Sequence, residues 1–106
     1  MAEKKIDKKS DSGVEVKDRE KVKKPKRYSV VFYNDNYTPM EYVILLLMQE
    51  FHLSSENATA VMMKIHNSER GAVGSYSREI AETKASICNV TSRQMGYPLL
   101  CDIEPE

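Results

Sequence analysis

Residues Tyr28 to Glu41 read Tyr-Ser-Val-Val-Phe-Tyr-Asn-Asp-Asn-Tyr-Thr-Pro-Met-Glu. The break in the middle of this stretch decides the fold. Tyr28 to Tyr33 is dense in β-branched and aromatic side chains and predicts a strand. Asn34-Asp35-Asn36 stops it with short polar residues suited to a turn. A helix start follows: Thr38 can accept from the orphan N–H groups, Pro39 fits the first helical position, and Glu41 can reach back to the cap. Three small polar side chains are therefore expected in a tight strand-to-helix turn held from both ends, a place built to receive a ligand.

Outward from this stretch, the helix is expected from Thr38 to Phe51, with Met40, Val43, Ile44, Leu47 and Phe51 three and four residues apart. Ser54 can cap a second helix carrying Ala58, Val61, Met62 and Ile65 on one stripe. Asn67 to Gly71 is expected to stop it, and Ala72 to Tyr76 to form a strand kept short by Gly71 and Gly74. Ser77 can cap a third helix to about Met95, packing through Ile80, Ala81, Ile87, Cys88 and Val90. Gly96 and Pro98 end it, and Leu99 to Ile103 makes a last strand. The order strand, helix, helix, strand, helix, strand implies an α+β domain, a small three-stranded sheet packed against three helices.

The 106 residues suffice for one small domain, and the zero net charge hides an asymmetry. Met1 to Arg27 carries eleven Lys/Arg against six Asp/Glu, a net +5, whereas Tyr28 onward carries five against ten, a net −5. Beyond Met1, the basic segment offers only Ile6, Val14, Val16 and Val22 for burial, too little apolar surface to offset the entropy of ordering. Residues 1–27 are thus expected to be a flexible extension and residues 28–106 the folded core. Its lysines alternate with acids and no aromatic is interleaved, which points away from nucleic acid. No apolar run has the length of a membrane span, and the N-terminal stretch lacks the apolar segment of a secretory signal. Cys88 and Cys101 have no metal spacing and are expected to be reduced packing residues.

Met62 and His66 are four apart and share one face of the second helix, with Ile65 about 100° around the axis. If that face meets the Asn34 turn, His66 joins Asn34 and Asp35 around a methionine-walled and aliphatic pocket. An anion would want Lys or Arg, which are not nearby in sequence. One His and one Asp fall short of a closed metal site. An ammonium on an apolar group fits best, because Asn34, neutral His66 and the Asp35 region can accept its protons while the wall takes the side chain. Plainer readings stand beside this one. Asn-Asp-Asn is ordinary turn chemistry, a histidine at a helix end is often a surface residue, and Met40 and Met62 at helical spacing suit a core. A nucleophilic set of Asp35, His66 and Cys88 is disfavoured, since Cys88 falls mid-helix with no base beside it in sequence.

The blocks V-x-x-x-N-D-x-Y-T-P-M-E-x-V, then M-x-x-x-H from Met62 to His66, A-E-T-K from Ala81 to Lys84, and P-L-L-C from Pro98 to Cys101 closely resemble the ClpS family of bacterial Clp protease adaptors. The resemblance covers Tyr28 to about Ile103. It implies an antiparallel sheet in a domain similar to the C-terminal domain of the ribosomal stalk protein. It also implies a non-enzymatic, cytoplasmic bacterial adaptor, monomeric and without cofactor or metal, that binds N-degrons: a free α-amine with a large hydrophobic first residue. By matching position, Asn34, Asp35, Asn36 and His66 would surround the amine and first peptide unit. Thr38 and Met40 would line the pocket entrance, and Val43, Met62, Ile65 and Leu99 its wall. Glu79 and Lys84 would dock on the N-terminal domain of the Clp unfoldase. One departure is Asn36, where the family usually has a second acid; it keeps an acceptor but loses a charge. That leaves open an alternative, a modulator that docks on the unfoldase without strong degron binding.

Overall fold

The computed structural model describes residues 25–106, so the expected extension lies outside the described residues except for its last three positions. The elements are β1 (Arg27–Tyr33), α1 (Met40–Phe51), α2 (Ser55–Ser68), β2 (Arg70–Ser77), α3 (Arg78–Gln94) and β3 (Leu100–Pro105). β1 is the central strand, with β2 and β3 antiparallel on either side. The expected α+β order and three-stranded antiparallel sheet are therefore present.

The core follows from the pleat of β1. Val30 and Phe32 point to the same face, are fully buried, and meet Leu47, Ile65, Cys88 and Leu99 from the helices and the turn before β3. Phe32 stacks edge-on against Phe51 at 5.7 Å, which locks the end of α1 onto the sheet. α1 ends in a left-handed His52 (φ 58°), and the N–H groups of His52 and Leu53 both donate to the Leu47 carbonyl.

Several expectations change. The reciprocal cap from Thr38 and Glu41 does not form. Pro39 keeps extended backbone (ψ 140°) and occupies the cap position itself, its carbonyl accepting from the Val43 N–H at 3.2 Å. With Pro39 as the cap, Thr38 falls one residue before it, and its hydroxyl donates to Asp35 Oδ2 at 2.9 Å. Ser54 does cap α2, accepting from the Asn57 N–H at 3.1 Å, whereas Ser77 makes no side-chain cap bond to α3.

β2 is longer than expected and begins inside the segment read as a stop. Gly71 pairs opposite Phe32 and Gly74 opposite Val30, and the Tyr76 ring lies over Gly74, closing the gap that a missing side chain leaves. A bulge between Val30 and Val31 leaves Val73 without a partner on β1 and lets it turn into the core.

Of the residues expected to pack α3, Ala81 and Cys88 are buried and the three large ones are not. Ala81, Ala85, Cys88 and Ser92 face the sheet, while Ile80, Ile87 and Val90 are 50%, 40% and 54% exposed. Small residues let α3 lie close to the strands, and the large ones, about 100° around the axis, are left outside. Buried Ser92 is satisfied by the Tyr42 hydroxyl at 3.0 Å. Asn89 donates to the Cys101 carbonyl and accepts its N–H, both at 2.9 Å, which covers that part of the β3 edge.

Candidate ligand-binding site

The site forms where β1 runs into the Asn34–Thr38 turn. Asp35 organises that turn: its Oδ1 accepts from the Tyr37 and Thr38 N–H groups, each at 2.8 Å, and its Oδ2 from the Thr38 hydroxyl. Burial by itself would raise the Asp35 carboxyl, but the Thr38 and Tyr37 N–H bonds, the Thr38 hydroxyl and the charge of Arg93 outweigh it. The carboxylate is thereby held below its ordinary value and stays charged.

A backbone bond brings the second helix to this turn. The Asn34 N–H donates to the carbonyl of Glu69 at 2.9 Å, and Glu69 is the left-handed residue (φ 71°) that ends α2. The last turn of α2, which contains His66, is therefore fixed beside Asn34. Helix C-termini carry a partial negative charge, so this end favours a cation.

Below the turn is a small cavity of about 10 Å³, room for a single water molecule, lined by Tyr33, Asn34, Asp35, Thr38, Val43, Met62, Ile65 and Leu99. Val43 comes from α1, Met62 and Ile65 from α2, and Leu99 from the loop before β3; all four are buried. Leu99 reaches it because Arg93 holds that loop, donating to the carbonyls of Leu99 at 2.7 Å and Tyr97 at 2.9 Å. The fold thus gathers Asn34, Asp35, Thr38, Val43, Met62, Ile65 and Leu99 from four separate stretches of sequence.

Three expected residues stand outside the lining. Met40 is the first residue of α1, 36% exposed and one turn from Val43, so it rises toward solvent above the wall. Asn36 and His66 are exposed. Tyr33 was missed, because it reads as the last residue of a strand; Arg70 lies over its ring at 5.5 Å. Arg93 was missed as well: the sequence places it 58 residues from Asp35, yet the fold brings its charge within range.

The two residues proposed for docking do not line this cavity and differ from each other. Glu79 is exposed in the first turn of α3. Lys84 is half-buried; its Nζ donates to the Glu50 carbonyl at 2.6 Å and lies 5.5 and 5.4 Å from the rings of Phe51 and Tyr76. Cys88 and Cys101 are buried against each other. The contact with Cys88, together with burial, pushes the Cys101 thiol well above its ordinary range, so it is held neutral. Neither Cys88 nor His66 lines the cavity with Asp35. Among the described residues no group of three or more His, Cys, Asp or Glu could hold a metal ion, and no helix is long and apolar enough to cross a membrane.

A charged-amine-compatible turn above an apolar cavity, carried on a small α+β scaffold, defines a recognition domain. Residues 23–102 match the family described as ATP-dependent Clp protease adaptor protein ClpS. Two similar proteins bear the name ATP-dependent Clp protease adapter protein ClpS. The one from Vibrio atlanticus is 48% identical over 88 residues, covering 83% of each chain. The one from Lawsonia intracellularis is 42% identical over 86 residues, covering 81% of this chain and 79% of that one. The solved structure of Agrobacterium tumefaciens ClpS2 bound to L-phenylalaninamide superposes with a TM-score of 0.76 at 38% identity, covering 78% of this chain and all of that one. The chain belongs to the ClpS family and is an adaptor of the Clp protease.

Proposed function

We propose that this adaptor grips the free N-terminus of a protein whose first residue is large and hydrophobic, and presents it to the N-terminal domain of the Clp unfoldase. The observation that carries this is the cavity itself: buried aliphatic and thioether walls from Val43, Met62, Ile65 and Leu99, with Asn34 and charged Asp35 along one side. L-phenylalaninamide, the molecule in the Agrobacterium relative, combines the same two chemistries: a free α-amine and an apolar side chain.

In this proposal the small cavity marks where the leading side chain enters, and its walls part to admit it. The ammonium is met by the Asn34 amide oxygen and by His66 from the last turn of α2, with the Asp35 charge and the helix end adding favourable potential. Asp35 acts chiefly by holding the turn, since both its oxygens already accept bonds from Tyr37 and Thr38. Thr38 and Met40 border the entrance, and Met40 and exposed Asn36 contact the peptide that follows. Docking on the unfoldase uses the outer face of α3, with Glu79 in direct contact and Lys84 setting the junction of α1 and α3. The protein acts as a monomer in the bacterial cytoplasm and catalyses no reaction.

Burying a Leu or Phe side chain contributes roughly 1.5–3 kcal/mol, and each hydrogen bond to a charged group about 1.5–3 kcal/mol. Set against the cost of immobilising a peptide, this implies affinity of order micromolar or somewhat tighter. Fluorescence titration of the full chain with a labelled peptide beginning Phe or Leu, beside its N-acetylated twin, tests the proposal. Acetylation removes the charge and leaves the acceptors unpaired, so a loss of about 100-fold or more is expected. Equal binding of the two peptides would rule the proposal out.

A further inference from the structure

Ile65 is wedged between the cavity and the sheet. It lines the cavity and is 1% exposed. Behind it lies Gly71, the second residue of β2 and opposite Phe32. A Cβ placed on Gly71 would stand 3.0 Å from Ile65 Cγ1 and 3.8 Å from the Ile65 Cα and N. Ordinary carbon–carbon contact is about 3.5–4.0 Å, so Ile65 Cγ1 would have to give by a few tenths of an ångström, while the backbone contacts are normal. The missing side chain at Gly71 is therefore what allows Ile65 to sit back against the sheet.

We infer that Gly71 is a specificity-determining positioning residue: by leaving space for Ile65, it sets the depth of the cavity and thereby the size of first residue the adaptor accepts. This rests on the proposal that the cavity receives a leading side chain. The backbone gives Gly71 no other reason to be glycine, because its φ is not in the left-handed region and β2 continues regularly through it. Alanine at this position meets no backbone strain. The added methyl instead pushes Ile65 away from the sheet, toward the cavity it lines. Tightly packed interiors transmit such shifts rather than absorbing them.

The length of the leading side chain decides how much the shift matters. One methylene in a hydrophobic pocket changes recognition by about 10–200-fold. Gly71→Ala is therefore expected to weaken a peptide beginning Phe by about tenfold, and one beginning Leu by less. Adding Ile65→Val removes the Cδ1 methyl and returns the volume that the shift took. The double variant is expected to recover the wild-type ratio of Phe to Leu affinity.

The experiment is a four-way titration of the full chain (wild type, Gly71→Ala, Ile65→Val and the double variant) with free-amine peptides beginning Phe and Leu, and circular dichroism of each. A purely structural role for Gly71 would lower stability and leave the Phe-to-Leu ratio unmoved. An unmoved ratio in Gly71→Ala, or a ratio that Ile65→Val fails to restore, overturns the inference while the adaptor proposal stands. A wild-type chain that binds neither peptide overturns both. If Gly71→Ala alone does not fold, Ile65→Val alone decides the matter. With Gly71 holding its backbone in place, it must deepen the cavity and shift preference toward Phe, and a preference that stays put or moves toward Leu overturns the inference.

Discussion

At the Asn34 turn, Asp35 commits both carboxylate oxygens to Tyr37 and Thr38, and Asn34 is tied by its N–H to the end of α2. On the outer face of α3, Ile80, Ile87 and Val90 are about half exposed, on the helix that also carries exposed Glu79 and Glu82. The first region is small, polar and fixed by hydrogen bonds from several elements. The second is broad, apolar and fixed only by the helix that carries it. Recognition of one charged chain end requires acceptors at set positions, whereas contact with a second protein requires area. On the proposed function, the two regions teach a division of work by geometry: one end measures a ligand, and one face is left for a partner. Lys84 is also tied into the fold, its charge joining α3 to the end of α1.

The largest effect that would sharpen this contrast is at Lys84. Lys84→Ala removes a charged hydrogen bond to the Glu50 carbonyl and two ring contacts, and is expected to lower stability by about 2 kcal/mol in urea unfolding. Glu79→Ala, made on the same face, should leave the unfolding midpoint in place and weaken capture of the unfoldase N-terminal domain. A Lys84→Ala protein of wild-type stability would break the distinction between these two residues.

An intermediate effect is expected at Asp35. The folded chain holds its carboxyl below the ordinary value of 3.8. Its stabilisation is therefore fully present above that value and is lost as pH falls through the lower folded value. Asp35→Ala should cost about 1 kcal/mol near neutral pH. The gap from wild type should close as the pH drops below 3.8, as followed by unfolding curves at stepped pH. A gap independent of pH would show that the turn does not depend on the carboxylate.

The smallest effect should come from Ile87→Ser. Large surface residues away from packing change stability within about 0.5 kcal/mol, so thermal unfolding should barely move. Peptide binding should be untouched as well. A loss of several kcal/mol would mean that the outer stripe of α3 is covered in solution, and the contrast between the two regions would fail.

Much of this was legible in the chain because it is local. The strand before Asn34, the helix after Pro39, the Ser54 cap and the stop at Gly96 each follow from residues within a few positions of one another. So does the shared face of Met62 and Ile65. The failures have physical causes of their own. Thr38 and Glu41 carry the pattern of a reciprocal cap, yet Pro39 keeps extended backbone and takes the cap position, which leaves Thr38 one residue too early. Ile80, Ile87 and Val90 have core chemistry, but a helix exposes whichever face its smallest residues do not claim, and Ala81 and Ala85 claimed the sheet.

By itself, then, the sequence determined the order of elements and the polar turn, since these depend on backbone preferences and periodicity; the apolar wall came from the family resemblance. Only the tertiary structure decided that Arg93 reaches the field of Asp35, that Tyr33 borders the cavity, that Lys84 is tied into the fold, and that Gly71 lies behind Ile65. Each of these is a meeting of residues distant in the chain or on different elements. Such meetings are set by how helices settle on a twisted sheet, where a single methyl group decides how closely two surfaces approach.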